Sequence, residues 1–248
     1  MFEIETQNLS RSFGRLEAVR HLNLQVRKGT IFGFLGPNGS GKSTTLKMLT
    51  GLLRPTEGDA VIAGSSILEA PVEVKKVIGV LPEDLALFEA LTIWEHLLMC
   101  GPVYGLSKAE TRKRGEQLLT YLDLWSSRDT YVDEASTGMR KKCGLAMALL
   151  HNPRVLFLDE PFEGIDPVAS RNIKDLLLRM ANKGLTIFLT SHILEVVERL
   201  VDSFAIIVRG QIVCDQTMEE TLRDGETLED LFFKYVVRPK AEEIEWIG

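Results

Sequence analysis

Cysteine is scarce in this 248-residue chain. Cys100, Cys143 and Cys214 are widely spaced, so there is no CxxC pair, no zinc-ligand spacing and no even-numbered disulfide framework. A reducing compartment is expected. Long apolar runs are missing too: stretches such as 145–150 and 155–158 fall far short of the roughly 18 residues that cross a bilayer. The start, Met1-Phe2-Glu3-Ile4-Glu5, lacks the basic and apolar segments of a signal peptide. Positive charge is not in excess, with 29 Lys+Arg against 35 Asp+Glu and a formal net charge of −6, which argues against a nucleic-acid backbone as the main partner.

What is present suits a folded α/β protein. A hydrophobic fraction of 45% and a charged fraction of 26% are ordinary for a globular chain, and this length buries a core without covalent staples. Leu22, Leu24 and Val26 alternate with polar residues as a half-buried strand does. Ile31-Phe32-Gly33-Phe34-Leu35 reads as a buried parallel strand, and a helix is expected from the glycine-rich stretch after it as far as Gly51. Further strands are expected at 59–63, 77–81, 155–158, 186–190 and 204–208, with helices between the later ones. From Leu85 to Glu134 the texture is helical. Ser107 and Glu110 are spaced as a capping box, and Leu118, Leu119 and Leu122 supply an apolar stripe. Asp166-Pro167 starts another helix, with Ile173, Leu176, Leu177 and Met180 on one face and Gly184 as its stop.

The chemistry concentrates in two places. Gly36-Pro37-Asn38-Gly39-Ser40-Gly41-Lys42-Ser43-Thr44 fits G-x-x-x-x-G-K-[ST] between a strand and a helix. Such a loop turns backbone amides around a phosphate, the helix N-terminus adds positive potential, Lys42 reaches the β- and γ-phosphates, and Ser43 offers a hydroxyl to Mg²⁺. Further on, Val155-Leu156-Phe157-Leu158 delivers Asp159 and Glu160 at a strand's C-terminal end, where ligands bind in parallel sheets; Asp159 can face the Mg²⁺ held by Ser43.

These motifs resemble those of the nucleotide-binding subunits of ATP-binding cassette (ABC) transporters, over nearly the whole chain. The resemblance implies a P-loop NTPase core with a mainly parallel central sheet, an N-terminal antiparallel β subdomain and a helical subdomain at about 85–150. The cassette would occupy 1–225, with a C-terminal helix and acidic tail at 226–248. It implies Glu160 as the residue that positions and deprotonates the attacking water, and His192, after Thr190-Ser191, as the γ-phosphate contact. Ala135-Ser136-Thr137-Gly138-Met139 stands where the family has Leu-Ser-Gly-Gly-Gln; Ser136 and Gly138 are retained, Thr137 departs, and the segment would meet nucleotide on an opposite subunit. Phe13 lies where an aromatic ring stacks on adenine. Asp166 matches an aspartate that crosses the dimer interface. Glu83 replaces a glutamine that senses Mg²⁺, as in some drug-exporter-like subunits, and would strengthen dependence on the metal.

The same resemblance implies ATP hydrolysis with Mg²⁺, a homodimer or heterodimer of ATPase subunits, and a separate transmembrane permease. It implies a cytoplasmic location at the membrane face and, from Pro82-Glu83 and the altered signature, export. Leu85, Leu87, Phe88, Leu91 and Trp94 are candidates for the groove that receives the permease, internal packing being their other explanation. Arg140-Lys141-Lys142 reads as a solvated helix face. Cassettes that act on ribosomes or DNA are the alternative. Those of translation carry two cassettes per chain, and those of repair place a long coiled coil between the two phosphate-site motifs; neither feature is present in these residues. A P-loop kinase or GTPase lacks the combination of signature, Glu160 and His192.

Overall fold

The structure, a computed structural model, describes residues 1–236. In chain order the elements are β1 (Phe2–Phe13), β2 (Leu16–Arg27), β3 (Ile31–Leu35), α1 (Lys42–Leu49), β4 (Glu57–Ile62), β5 (Ser65–Ser66), α2 (Pro71–Val77) and β6 (Ile78–Leu81). After them come α3 (Ile93–Val103), α4 (Lys108–Tyr121), α5 (Thr137–Leu149), β7 (Val155–Asp159), α6 (Pro167–Ala181), β8 (Thr186–Ser191), α7 (Leu194–Glu198), β9 (Ser203–Val208), β10 (Gln211–Thr217), α8 (Met218–Arg223) and α9 (Leu228–Tyr235). The tail beyond α9, with Trp246, lies outside the described residues.

The strands make two sheets. One is antiparallel, in the order β2-β1-β4-β5; the other has six strands in the order β10-β9-β3-β8-β7-β6, and in it only β10 runs antiparallel to its neighbour. Strands covered on both faces read as near-continuous apolar runs, and β3, β7 and β8 are buried throughout, the polar residues of β7 and β8 standing at strand ends. Their side chains still alternate. Phe32, Phe34, Phe157 and Phe188 join Leu24, Leu46 and Ile4 in the core against the antiparallel sheet and α1. Ile31, Leu35, Leu156, Leu158, Ile187 and Leu189 join the core shared with α3–α6. The six-stranded sheet is thus the middle layer, and its strand ends carry the phosphate loop, Asp159 and His192.

Several sequence expectations needed adjustment. β1 and β10 were not anticipated as strands. In β1 the register shifts between Thr6 and Leu9, around Asn8 at φ 49°, which breaks the two-residue alternation. The Ser107 cap is half a box: its hydroxyl accepts from Glu110 N, but the Glu110 carboxylate pairs with Arg114 Nε at 2.7 Å. Full boxes occur instead at Thr92/Glu95, Thr217/Glu220 and Thr227/Asp230. Of the apolar residues after Glu83, Trp94 packs edge-on against Trp125 and Leu85 lies beside Gly144, whereas Phe88 is 58% exposed.

Candidate active site

The phosphate loop is shaped by glycines for two separate reasons. Gly39 and Gly41 have φ of 75° and 113°, a region that side-chain-bearing residues rarely enter. At Gly36 the constraint is space: a Cβ would lie 2.3 Å from Ile207 O and 2.6 Å from Ser40 Oγ. Main-chain bonds from Gly210 N to Ser40 O and from Ser40 N to Pro37 O hold the loop closed. It delivers α1 amino-end first, so the opening amides of that helix have no partner within the helix.

Around this loop lies a cleft of about 520 Å³ lined by Phe13, Leu16, Ala18, residues 38–44, Glu83, Glu160, Glu163 and His192. Lys42 is 7% exposed and donates from Nζ to Gly36 O at 2.7 Å and Pro37 O at 3.4 Å, with Glu160 Oε1 at 3.9 Å. Burial pushes its proton affinity down, and Glu160, Asp159 and Glu83 pull the other way. Ser43 Oγ is 3.4 Å from Asp159 Oδ1, and the Thr190 hydroxyl donates to the same oxygen at 2.5 Å. Glu160, at φ 47°, accepts from His192 N at 3.3 Å. Its Oε2 also sits 3.0 Å from His192 Nδ1, which acts as a donor towards a carboxylate. Phe13 is half-exposed at the rim, with the Arg11 guanidinium 4.6 Å from its ring centre.

The fit to a nucleoside triphosphate with Mg²⁺ rests on these residues. The loop is a cradle that a Cβ at Gly36 would fill, the buried Ser40 hydroxyl has no partner among the described residues, and Ser43 and Asp159 form a hard oxygen pair. No cluster of three or more His, Cys, Asp or Glu suited to a metal occurs among the described residues.

Two groups of expected residues lie elsewhere. Ser136 caps α5 by accepting from Met139 N at 3.2 Å; Thr137 lines a second cleft, which Glu83 shares, and packs beside Gly164. Gly138 follows on the first turn of α5, with Ile165 as neighbour. Asp166 caps α6, accepting from Val168 N at 3.0 Å and Ala169 N at 2.9 Å, and these amides hold its carboxyl below the usual range. None of Ser136, Thr137, Gly138 and Asp166 lines the phosphate cleft.

Sequence reasoning missed Thr190 and misjudged Lys141. The latter is not solvated: it is 7% exposed, and its Nζ donates to Glu160 O at 2.8 Å. The signal was the spacing, since Lys141 stands four and seven residues before the buried Leu145 and Ala148, on the inner face of α5.

The family model described as ABC transporter matches residues 19–163. The linearmycin resistance ATP-binding protein LnrL of Bacillus subtilis (strain 168) is 34% identical over 210 residues, which span 85% of this chain and 68% of that protein. The bacitracin transport ATP-binding protein BcrA of Bacillus licheniformis is 37% identical over 211 residues, with the same coverage of each. Among solved structures, an ATP-binding subunit of an ABC transporter superposes with a TM-score of 0.87 at 31% identity, covering 94% of this chain and 99% of that one. With the phosphate cleft and the fold already in agreement, the chain belongs to the ABC transporter family, as an ATP-binding and ATP-hydrolysing subunit.

Proposed function

We propose that this subunit drives an ABC exporter, as one of a head-to-tail pair bound to a separate transmembrane permease at the cytoplasmic face of a membrane. The observation that carries the pairing is the separation of parts. The cleft gathers Lys42, Ser43, Glu83, Glu160 and His192, while Ser136–Gly138 and Asp166 stand outside it. A second copy, in the same arrangement, brings its own Ser136 and Gly138 to this cleft, and Asp166 lies along the contact. Export is favoured by the names of LnrL and BcrA, a resistance protein and a bacitracin transport protein. Besides the stretch of Leu85, Leu87, Phe88, Leu91 and Trp94, a groove lined by Leu52, Val72, Lys75, Lys76, Val103 and Tyr104 could receive a docked helix of the permease. No helix among the described residues is long and apolar enough to cross a membrane.

In this reading Phe13 stacks on adenine, and residues 36–44 with Lys42 grip the phosphates. Ser43, Asp159 and Glu83 would hold Mg²⁺, which would supply charge neutralisation at the phosphates. The Glu160 carboxylate takes a proton from a water molecule as the water oxygen bonds to the γ-phosphorus; the bond from phosphorus to the bridging oxygen breaks, releasing ADP and phosphate. His192, bonded to Glu160 Oε2, fixes the direction of that carboxylate and contacts the γ-phosphate.

Glu160→Gln tests the reading. Turnover should fall by about 10²-fold or more, and adding ATP should trap a dimer visible by size-exclusion chromatography. Wild-type turnover with no ATP-dependent dimer would overturn it.

A further inference from the structure

Two lysines are buried among the described residues, Lys42 of the phosphate loop and Lys141. A buried ammonium needs partners, and Lys141 has one in the Glu160 carbonyl at 2.8 Å. Burial pushes its pKa below the usual value, opposed by the carboxylates of Glu163, Glu160, Glu83 and Asp159.

Glu160 is held in an unfavourable backbone conformation. A φ of 47° brings Cβ close to backbone oxygen, and side-chain-bearing residues avoid it unless their surroundings impose it. The surroundings here act on both of the residue's main-chain groups: its N–H donates to Thr190 Oγ1 at 3.1 Å, and its carbonyl accepts from Lys141 Nζ at 2.8 Å and, more weakly, from Glu163 N at 3.3 Å. Both peptides that flank its Cα are thereby anchored, and from that Cα the carboxylate reaches His192 Nδ1 at 3.0 Å.

We infer that Lys141 is a positioning residue for Glu160: by binding the Glu160 carbonyl it fixes the aim of the carboxylate and ties that aim to α5, the helix capped by Ser136. This rests on the reading of Glu160 as the base. Lys141 touches no reacting atom in this scheme. Its distance along α5 from Ser136 is little more than one turn, so a displacement of the helix start is carried to Glu160 through one side chain.

The full chain is tested as wild type, Lys141→Met, Glu160→Gln and the double variant, by steady-state and single-turnover ATP hydrolysis and by binding of a fluorescent ATP analogue. Lys141→Met should lower kcat on the order of tenfold or more, leave KM and analogue affinity within about twofold of wild type, and add nothing to the loss in Glu160→Gln. An unchanged kcat, or a loss that multiplies with that of Glu160→Gln, overturns the role of Lys141 and leaves that of Glu160 standing. A Glu160→Gln chain that keeps its turnover overturns the reading of Glu160 instead. If Lys141→Met melts below wild type, Lys141→Gln, which keeps a neutral donor, takes its place. A joint fall of kcat and affinity then marks Lys141 as merely structural and overturns the inference.

Discussion

The Thr190 hydroxyl serves both acidic residues of the site at once. It donates to Asp159 Oδ1 and accepts from Glu160 N, so one oxygen sets the orientation of a side chain and of the next residue's backbone. Thr190→Val keeps the shape and removes both bonds. The buried Glu160 amide then loses its partner and Asp159 Oδ1 keeps only the long contact with Ser43, at a cost of about 1–3 kcal/mol; urea unfolding should register that loss, and ATPase activity should fall with it, while Thr190→Ser preserves both. Single residues were legible in the sequence when a fixed spacing marked them. Lys42 and Ser43 are defined by the glycines before them, and Asp159 and Glu160 by the apolar strand that delivers them. Thr190 and Lys141 carry no such mark. A threonine in a buried strand looks like β-propensity, and a lysine between Arg140 and Lys142 looks like surface; only the fold shows where their polar atoms point.

Among elements, α5 and β6 approach closely. A Cβ on Gly79 would lie 2.2 Å from Ala148 O, and one on Gly144 would lie 2.8 Å from Leu81 Cδ1 and from Leu85 Cδ2. The helix lies on the edge strand by virtue of missing side chains. At Gly79 the obstacle is backbone, which cannot rotate aside, so Gly79→Ala should cost about 2 kcal/mol by overpacking. Thermal unfolding should show a drop of roughly 4–8 °C; a midpoint equal to wild type would mean that α5 shifts freely. Elements buried on both faces, β3, β7 and β8, were legible from their apolar runs, Ile31–Leu35, 155–158 and 187–189. β1 was not, since a strand with irregular register presents no clean period, and β10 has only Cys214 fully buried.

For the whole molecule, acid stability has an identifiable contributor in His151, which joins the core to the helical block. Its Nε2 is 2.9 Å from Ile78 O and so carries the proton. Its ring stacks on Tyr104 with centres 3.7 Å apart, and its Nδ1 is buried with no partner among the described residues. Burial and the nearby Arg114 charge, opposed by the Ile78 bond, push its pKa below the usual value. The unfolded chain therefore takes up this proton first. The stabilising contribution is complete above about pH 6.5 and is lost as pH falls through the lower folded value. Melting wild type and His151→Gln at pH 7.5 and pH 5.5 should give a smaller acid-induced drop for the variant; equal drops would assign the acid sensitivity to other groups.

The arrangement of the middle sheet also governs how the protein comes into being. β3, which leads into the phosphate loop, pairs with β8 and β9, Ile31 standing opposite Ile187. The loop itself is pressed by Ile207 and tied by Gly210. A ribosome finishes the motif's nine residues long before it makes the wall against which they are moulded. The growing chain thus carries the letters of the phosphate grip through most of its synthesis before β8, β9 and Gly210, which shape it in the fold, have been made.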